Sequence, residues 1–96
     1  MTTLENLRRD YRAGFLRYLP RREEEPLRVG YEIGRAAVVS GLSVLDLAQI
    51  HHEVLLEVLR DTNSDDLAAV ATAASEFLLE VLATFDMTQR SLPRVP

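Results

Sequence analysis

The stretch "VGYEIGRAAVVSGLSVLDLAQIHHEVLLEVL", Val29 to Leu59, decides the fold. It is mostly apolar, has glycines at 30, 34 and 41, and carries two adjacent histidines. A helical pattern begins near Pro26, a residue tolerated in a first turn. It runs to Ser40 and stops at Gly41, because glycine accepts the left-handed conformation that ends helices. Ser43 then offers an N-cap and Asp46 a first-turn acid, so a second helix starts at once and continues to about Arg60.

The second of these helices is unusually greasy. At 100° per residue its polar arc is narrow: Asp46, Gln49, Glu53, Glu57 and Arg60. Nearly everything else is aliphatic. A helix in a monomeric bundle buries one stripe rather than most of its circumference, and an uncovered apolar patch marks an interface. The pattern predicts burial on two sides, by the helix's own chain and by a second copy. The alternative is an unusually central helix within one chain. In the preceding helix, Gly30 and Gly34 each cost about 1 kcal/mol relative to alanine. They share a face with Leu27, Ala37 and Val38, which suits close approach by another helix. "GYEIG" has the wrong spacing and setting for a phosphate-binding loop.

Working outward, Leu4, Leu7, Tyr11, Phe15, Tyr18 and Leu19 form one stripe of a first helix, roughly Leu4 to Leu19. A Thr2/Glu5 capping box opens it and Pro20 closes it; "RREEE" follows as a charged linker. After the polar break "DTNSDD", with a cap at Asn63 or Ser64, a last helix runs from about Asp65 to Arg90 and Pro93 stops it. Its expected core stripe is Leu67, Val70, Ala71, Ala74, Phe77, Leu78, Val81, Leu82 and Phe85. No segment alternates as a strand would. The fold predicted is all-α, an antiparallel four-helix bundle that is homodimeric. Residues 1–90 form the domain, and 91–96 a disordered tail or the start of a linker.

Ninety-six residues suit one domain with a thin core. Net charge is −4, which argues against general nucleic-acid binding. The charge is uneven: residues 1–35 hold eight Arg against six acids, and residues 36–96 three against nine. Such asymmetry reads as two ordinary solvated faces or, alternatively, as a means of steering the halves together or steering a partner. There is no cysteine, hence no disulfide framework or thiolate site. No run reaches the roughly 18 apolar residues that span a bilayer, and the N-terminus lacks the apolar core of a signal peptide. A cytoplasmic protein is expected.

Candidate chemistry is sparse. His51 lies in the apolar stripe between Leu47 and Leu55, with His52 about 100° away. Two metal ligands on one helix need a spacing of three or four residues, so no metal site is expected. A hydrogen bond from His51 to a tyrosine on another helix, Tyr11 or Tyr18, is the better reading; a small-ligand pocket near His51 is the alternative. The carboxylate pairs Glu53/Glu57 and Glu76/Glu80 read as solvated faces. Ser40, Ser43 and Ser64 sit at helix ends as caps. No nucleophile, base and orienting group can be assembled, so no catalysis and no cofactor are expected. Leu79 points off the core stripe among Ala83, Thr72, Ser75 and Glu76, where it would anchor a protein contact.

The blocks "GRAAVVSGLSVLDLAQIHHEVLLEVL" and "FLLEVLATFDMTQR", with the opening "YRAGFLRYL", resemble the N-terminal domain of RsbU-type phosphoserine phosphatases, the KaiA/RsbU domain family. Tyr11 and Tyr18, "IHHEVL" and "FLLEVL" carry the match, over about residues 4–90. The resemblance implies a dimerising helical module placed before a metal-dependent phosphatase domain. It implies binding of a switch kinase in bacterial stress signalling that controls a sigma factor. The kinase-binding positions carried over are Glu24, Arg28 and Leu79. Glu24 and the aliphatic Leu79 keep the family's type; Arg28 replaces an aromatic residue, and the loop before the last helix is longer here. A scaffold domain without a switch partner is the alternative function.

Overall fold

The computed structural model describes residues 3–21 and 24–91. Among these residues there are four α-helices, one turn of 3-10 helix and no strand. The helices are α1 (Thr3–Arg21), α2 (Glu24–Val39), α3 (Val44–Arg60) and α4 (Leu67–Ser91).

The helix ends follow local chemistry. α2 closes with Gly41 at φ +77°. The Gly41 amide donates to the Val38 carbonyl at 3.0 Å and the Leu42 amide to the Ala37 carbonyl at 2.9 Å. This is the paired-bond stop that a left-handed glycine permits. Two residues on, the Ser43 side chain accepts from the Asp46 amide, and the Asp46 carboxylate accepts from the Ser43 amide at 2.9 Å. That reciprocal box starts α3 where the sequence placed it.

Elsewhere the boundaries shift. Pro20 does not end α1 at Leu19; it lies inside the helix, whose last residue is Arg21. Proline fixes a helical φ, so a chain already in helix passes through it for a residue or so. The "RREEE" segment is no five-residue linker: α1 takes Arg21 and α2 starts at Glu24, with Pro26 in its first turn. α4 is preceded by the 3-10 turn Ser64–Asp66, capped by Asn63 without a side-chain bond. The Thr2 cap, the Pro93 stop and the tail beyond Ser91 lie outside the described residues.

The core runs through all four helices. Tyr11, Phe15 and Tyr18 from α1 meet Phe77 of α4; Leu47, Ile50 and Val54 come from α3; Ile33 and Ala37 come from α2. Phe77 is the hub. Its ring lies 5.2 Å from that of Tyr11 at 87° and 5.9 Å from that of Phe15 at 73°, edge-to-face geometries that aromatic quadrupoles favour. α2 and α4 share the most extensive interface, and α1 and α3 also pack on α4. Gly34 sets the α2–α4 approach: a methyl there would overlap the Val81 carbonyl oxygen and come 2.9 Å from the Phe85 nitrogen. Gly14, unremarked in the sequence, does the same on α1, where a methyl would meet Val29 at 2.7 Å.

The expected stripe on α4 needs correction. Leu67 is 41% exposed and Ala71 is exposed, while Ala73 and Thr84 are buried. Thr84 hides its hydroxyl by donating to the Glu80 carbonyl at 2.9 Å, which lets a polar residue face the core. The expectation about bilayer-spanning length also changes. Ser64–Ser91, with mean hydropathy 1.6, is long and apolar enough to cross a membrane by length and composition. In this fold it is the helix against which the other three pack.

Candidate protein-interaction site

Close packing of α2 on α4 leaves a cleft along the rim of their seam. Glu24, Leu27, Arg28, Tyr31 and Glu32 of α2 and Glu80 of α4 line a space of about 450 Å³. The α2 residues recur every three or four positions, so they fall on one side of that helix. Tyr31 is 41% exposed, its ring presented rather than packed. The cleft carries both charge signs around apolar and aromatic surface. That suits recognition of a protein surface better than of an apolar small molecule. A second cleft of about 330 Å³ continues past Tyr31, lined by Arg35, Val39, Thr84, Met87, Thr88 and Ser91.

Of the three positions read from sequence, Glu24 and Arg28 come together in the first cleft and both are exposed. Leu79 is 64% exposed on α4 but does not line it. It precedes Glu80 and projects about 100° further round the helix, away from the core. Glu80, read from the sequence as part of a solvated face, lines the cleft, and so does Tyr31, which the sequence reading passes over. Tyr31 follows Arg28 by three residues, and that spacing was the available signal.

The histidine reading has a definite outcome. The Tyr11 hydroxyl lies 2.7 Å from Nδ1 of His51. Burial pushes the Tyr11 phenol well above its ordinary range. Burial, helped by the charge of neighbouring His52, lowers His51. The phenol therefore keeps its proton and the ring is neutral, and which of the two donates follows the imidazole tautomer. The imidazole also packs against Tyr11 and Phe15, with centroids 5.9 and 6.2 Å away. Its bond and ring contacts make it a strut between α1 and α3. Tyr18 donates instead to the Glu76 carboxylate, at 2.8 Å.

The carboxylates are not merely solvated. Arg8 bonds Glu53 at 2.9 Å and Arg12 bonds Glu57 at 2.6 Å, both from α1 to α3. Hydrogen bonds from Arg12 hold the Glu57 carboxyl below its usual range. The basic first half of the chain thus meets the acidic second half along this seam. Among the described residues, no three His, Cys, Asp or Glu side chains gather where a metal ion would fit.

Comparison with known proteins completes the description. The family model described as the N-terminal domain of phosphoserine phosphatase RsbU matches residues 9–88. No curated protein and no solved structure matches the chain.

Proposed function

Since the chain belongs to the family of RsbU N-terminal domains, regulatory modules of RsbU-type phosphatases and not their catalytic domain, we propose that it transmits the binding of a partner protein to a phosphatase. In this reading the helices form an antiparallel bundle that dimerises, in the bacterial cytoplasm. A switch-kinase-like activator docks on Glu24, Arg28 and Leu79, and the signal controls a sigma factor in a stress response. The observation that carries the docking site is the cleft at Glu24 and Arg28, with an exposed leucine on the adjoining helix. Exposed aliphatic side chains on α3 support the dimer.

The test is a calorimetric titration of the chain with a switch-type serine kinase encoded in the same genome. Leu79→Arg and Arg28→Glu should each abolish the binding heat while leaving the helical circular dichroism intact. Unchanged affinity in both variants would reject the site; no binding by the unaltered chain would reject this class of partner.

A further inference from the structure

α3 is lightly embedded. Of its 17 residues, Leu47, Ile50 and Val54 are the buried ones. Its interfaces with α1 and α4 are small beside that of α2 with α4, and it has no extensive interface with α2. Its ties to α1 include Arg8–Glu53 and Arg12–Glu57, whose four side chains are each 41–52% exposed, and the Tyr11–His51 bond. Half-exposed ion pairs compete poorly with water.

The other three helices interlock without it. Gly14 of α1 seats against Val29 of α2, and Gly34 of α2 seats against the backbone of α4. Phe77 of α4 meets Phe15 and Tyr18 of α1 through ring contacts that need nothing from α3. The ends of α3, meanwhile, are finished from within. Ser43 and Asp46 cap one another at the start. At the far end the Thr62 hydroxyl donates to the Val58 carbonyl at 2.7 Å. These caps travel with the helix. At Gly41, in the turn that leads into α3, nothing lies within 4 Å of the place a side chain would take, so rotation there meets no neighbour.

We propose that α3 is a latch: it lifts from α1 and α4 as one unit, turning about Gly41 and the turn at residues 61–63, while α1, α2 and α4 stay packed. Lifting bares the faces of Tyr11 and Phe15 that His51 covers and frees Arg8 and Arg12. A molecule that prefers one position of α3 then shifts the domain between two states. The cleft at Glu24 and Arg28 is lined by α2 and α4 and is common to both states, so the latch and the docking reading fail or stand separately.

Native-state hydrogen exchange on the whole chain, across low concentrations of guanidinium, tests the latch. A lone helix of this length frays in water, so α3 amides exchange once it lifts. They should exchange at least tenfold faster than the best-protected amides of α2 and α4. Their dependence on denaturant should also be weaker, because the opening exposes less surface than unfolding does. Gly34→Ala is the decisive variant. It strains the α2–α4 contact equally in the latched and lifted states. Exchange in α2 and α4 should therefore quicken at least fivefold while that of α3 stays unchanged. Gly30→Ala, which adds helix propensity at an ordinary contact, should slow α2 and α4 and again leave α3 alone. It serves if Gly34→Ala does not fold. Tyr11→Phe loosens the latched state and should quicken α3 at least fivefold. If α3 amides follow the glycine variants in step with α4, the domain opens as one piece and the latch is overturned. Amides of α1 that exchange together with those of α3 would overturn it too.

Discussion

Tyr11 and His51 are joined by a 2.7 Å hydrogen bond that crosses from α1 to α3 inside the aromatic cluster. Tyr11 is wholly buried. The bond is a polar link in a mostly apolar core, and its loss is not refilled by water at no cost.

Tyr11→Phe keeps the ring contacts and removes only the hydroxyl. Nδ1 of His51 is then half-buried without that partner, which should cost about 1–2 kcal/mol of stability. Urea unfolding followed by circular dichroism would measure it, with the slope of the transition unchanged.

Acid should weaken the fold through the same histidine. His51 is lowered from its ordinary value of 6.5 by burial, so the unfolded chain takes up a proton first as pH falls. Stability from this group is fully present above about pH 6.5 and is lost below it, down through the folded-state value. Denaturation midpoints between pH 7.5 and 5 should fall for the native chain and flatten for His51→Gln. A native profile that stays flat would contradict a buried neutral imidazole.

Gly30 and Gly34 should respond in opposite directions to alanine. At Gly34 the new methyl meets α4 backbone, which cannot move aside, and overpacking should cost about 1–3 kcal/mol. At Gly30 the nearest atoms are side-chain carbons at 3.4–3.5 Å, an ordinary contact. There the gain in helix propensity should stabilise by about 0.5–1 kcal/mol. Thermal melts of the two variants would bracket the native midpoint.

Gly41→Ala isolates backbone strain. Nothing lies within 4 Å of the added carbon, yet φ is +77°. The expected loss is about 1–2 kcal/mol with no change in packing, and Gly41→Asn should recover part of it. Equal stability of all three chains would mean that the turn relaxes to another geometry.

The turn from α2 to α3 was legible because capping is local: Gly41 bonds back to Val38, and Ser43 and Asp46 bond each other. The partner of His51 was legible only as one of two tyrosines. Tyr11 and Tyr18 lie on the same stripe of α1, and the choice depends on how far α1 slides along α3. Nothing in either helix alone states that offset. The Arg8–Glu53 and Arg12–Glu57 pairs escaped for the same reason: 45 residues separate the partners. Ranking side chains by polarity misplaced part of the α4 stripe, since Thr84 becomes apolar to its surroundings once its hydroxyl bonds back to Glu80. At the proposed docking site, Glu24 and Arg28 meet in one cleft because they are one turn apart. Leu79 stands on another helix, and its distance from them is a matter of packing.

α4 is the helix on which α1, α2 and α3 all lie, and it is the last of the four to leave the ribosome. Until its 25 residues emerge, roughly one to five seconds of synthesis at ~5–20 residues per second, Phe77 is missing and the rings of Tyr11, Phe15 and Tyr18 lack the hub they close on. The nascent chain is therefore greasy and unfinished for that interval. Nonsense or frameshift lesions anywhere before Phe77 should yield fragments for quality-control proteases rather than a partly working domain.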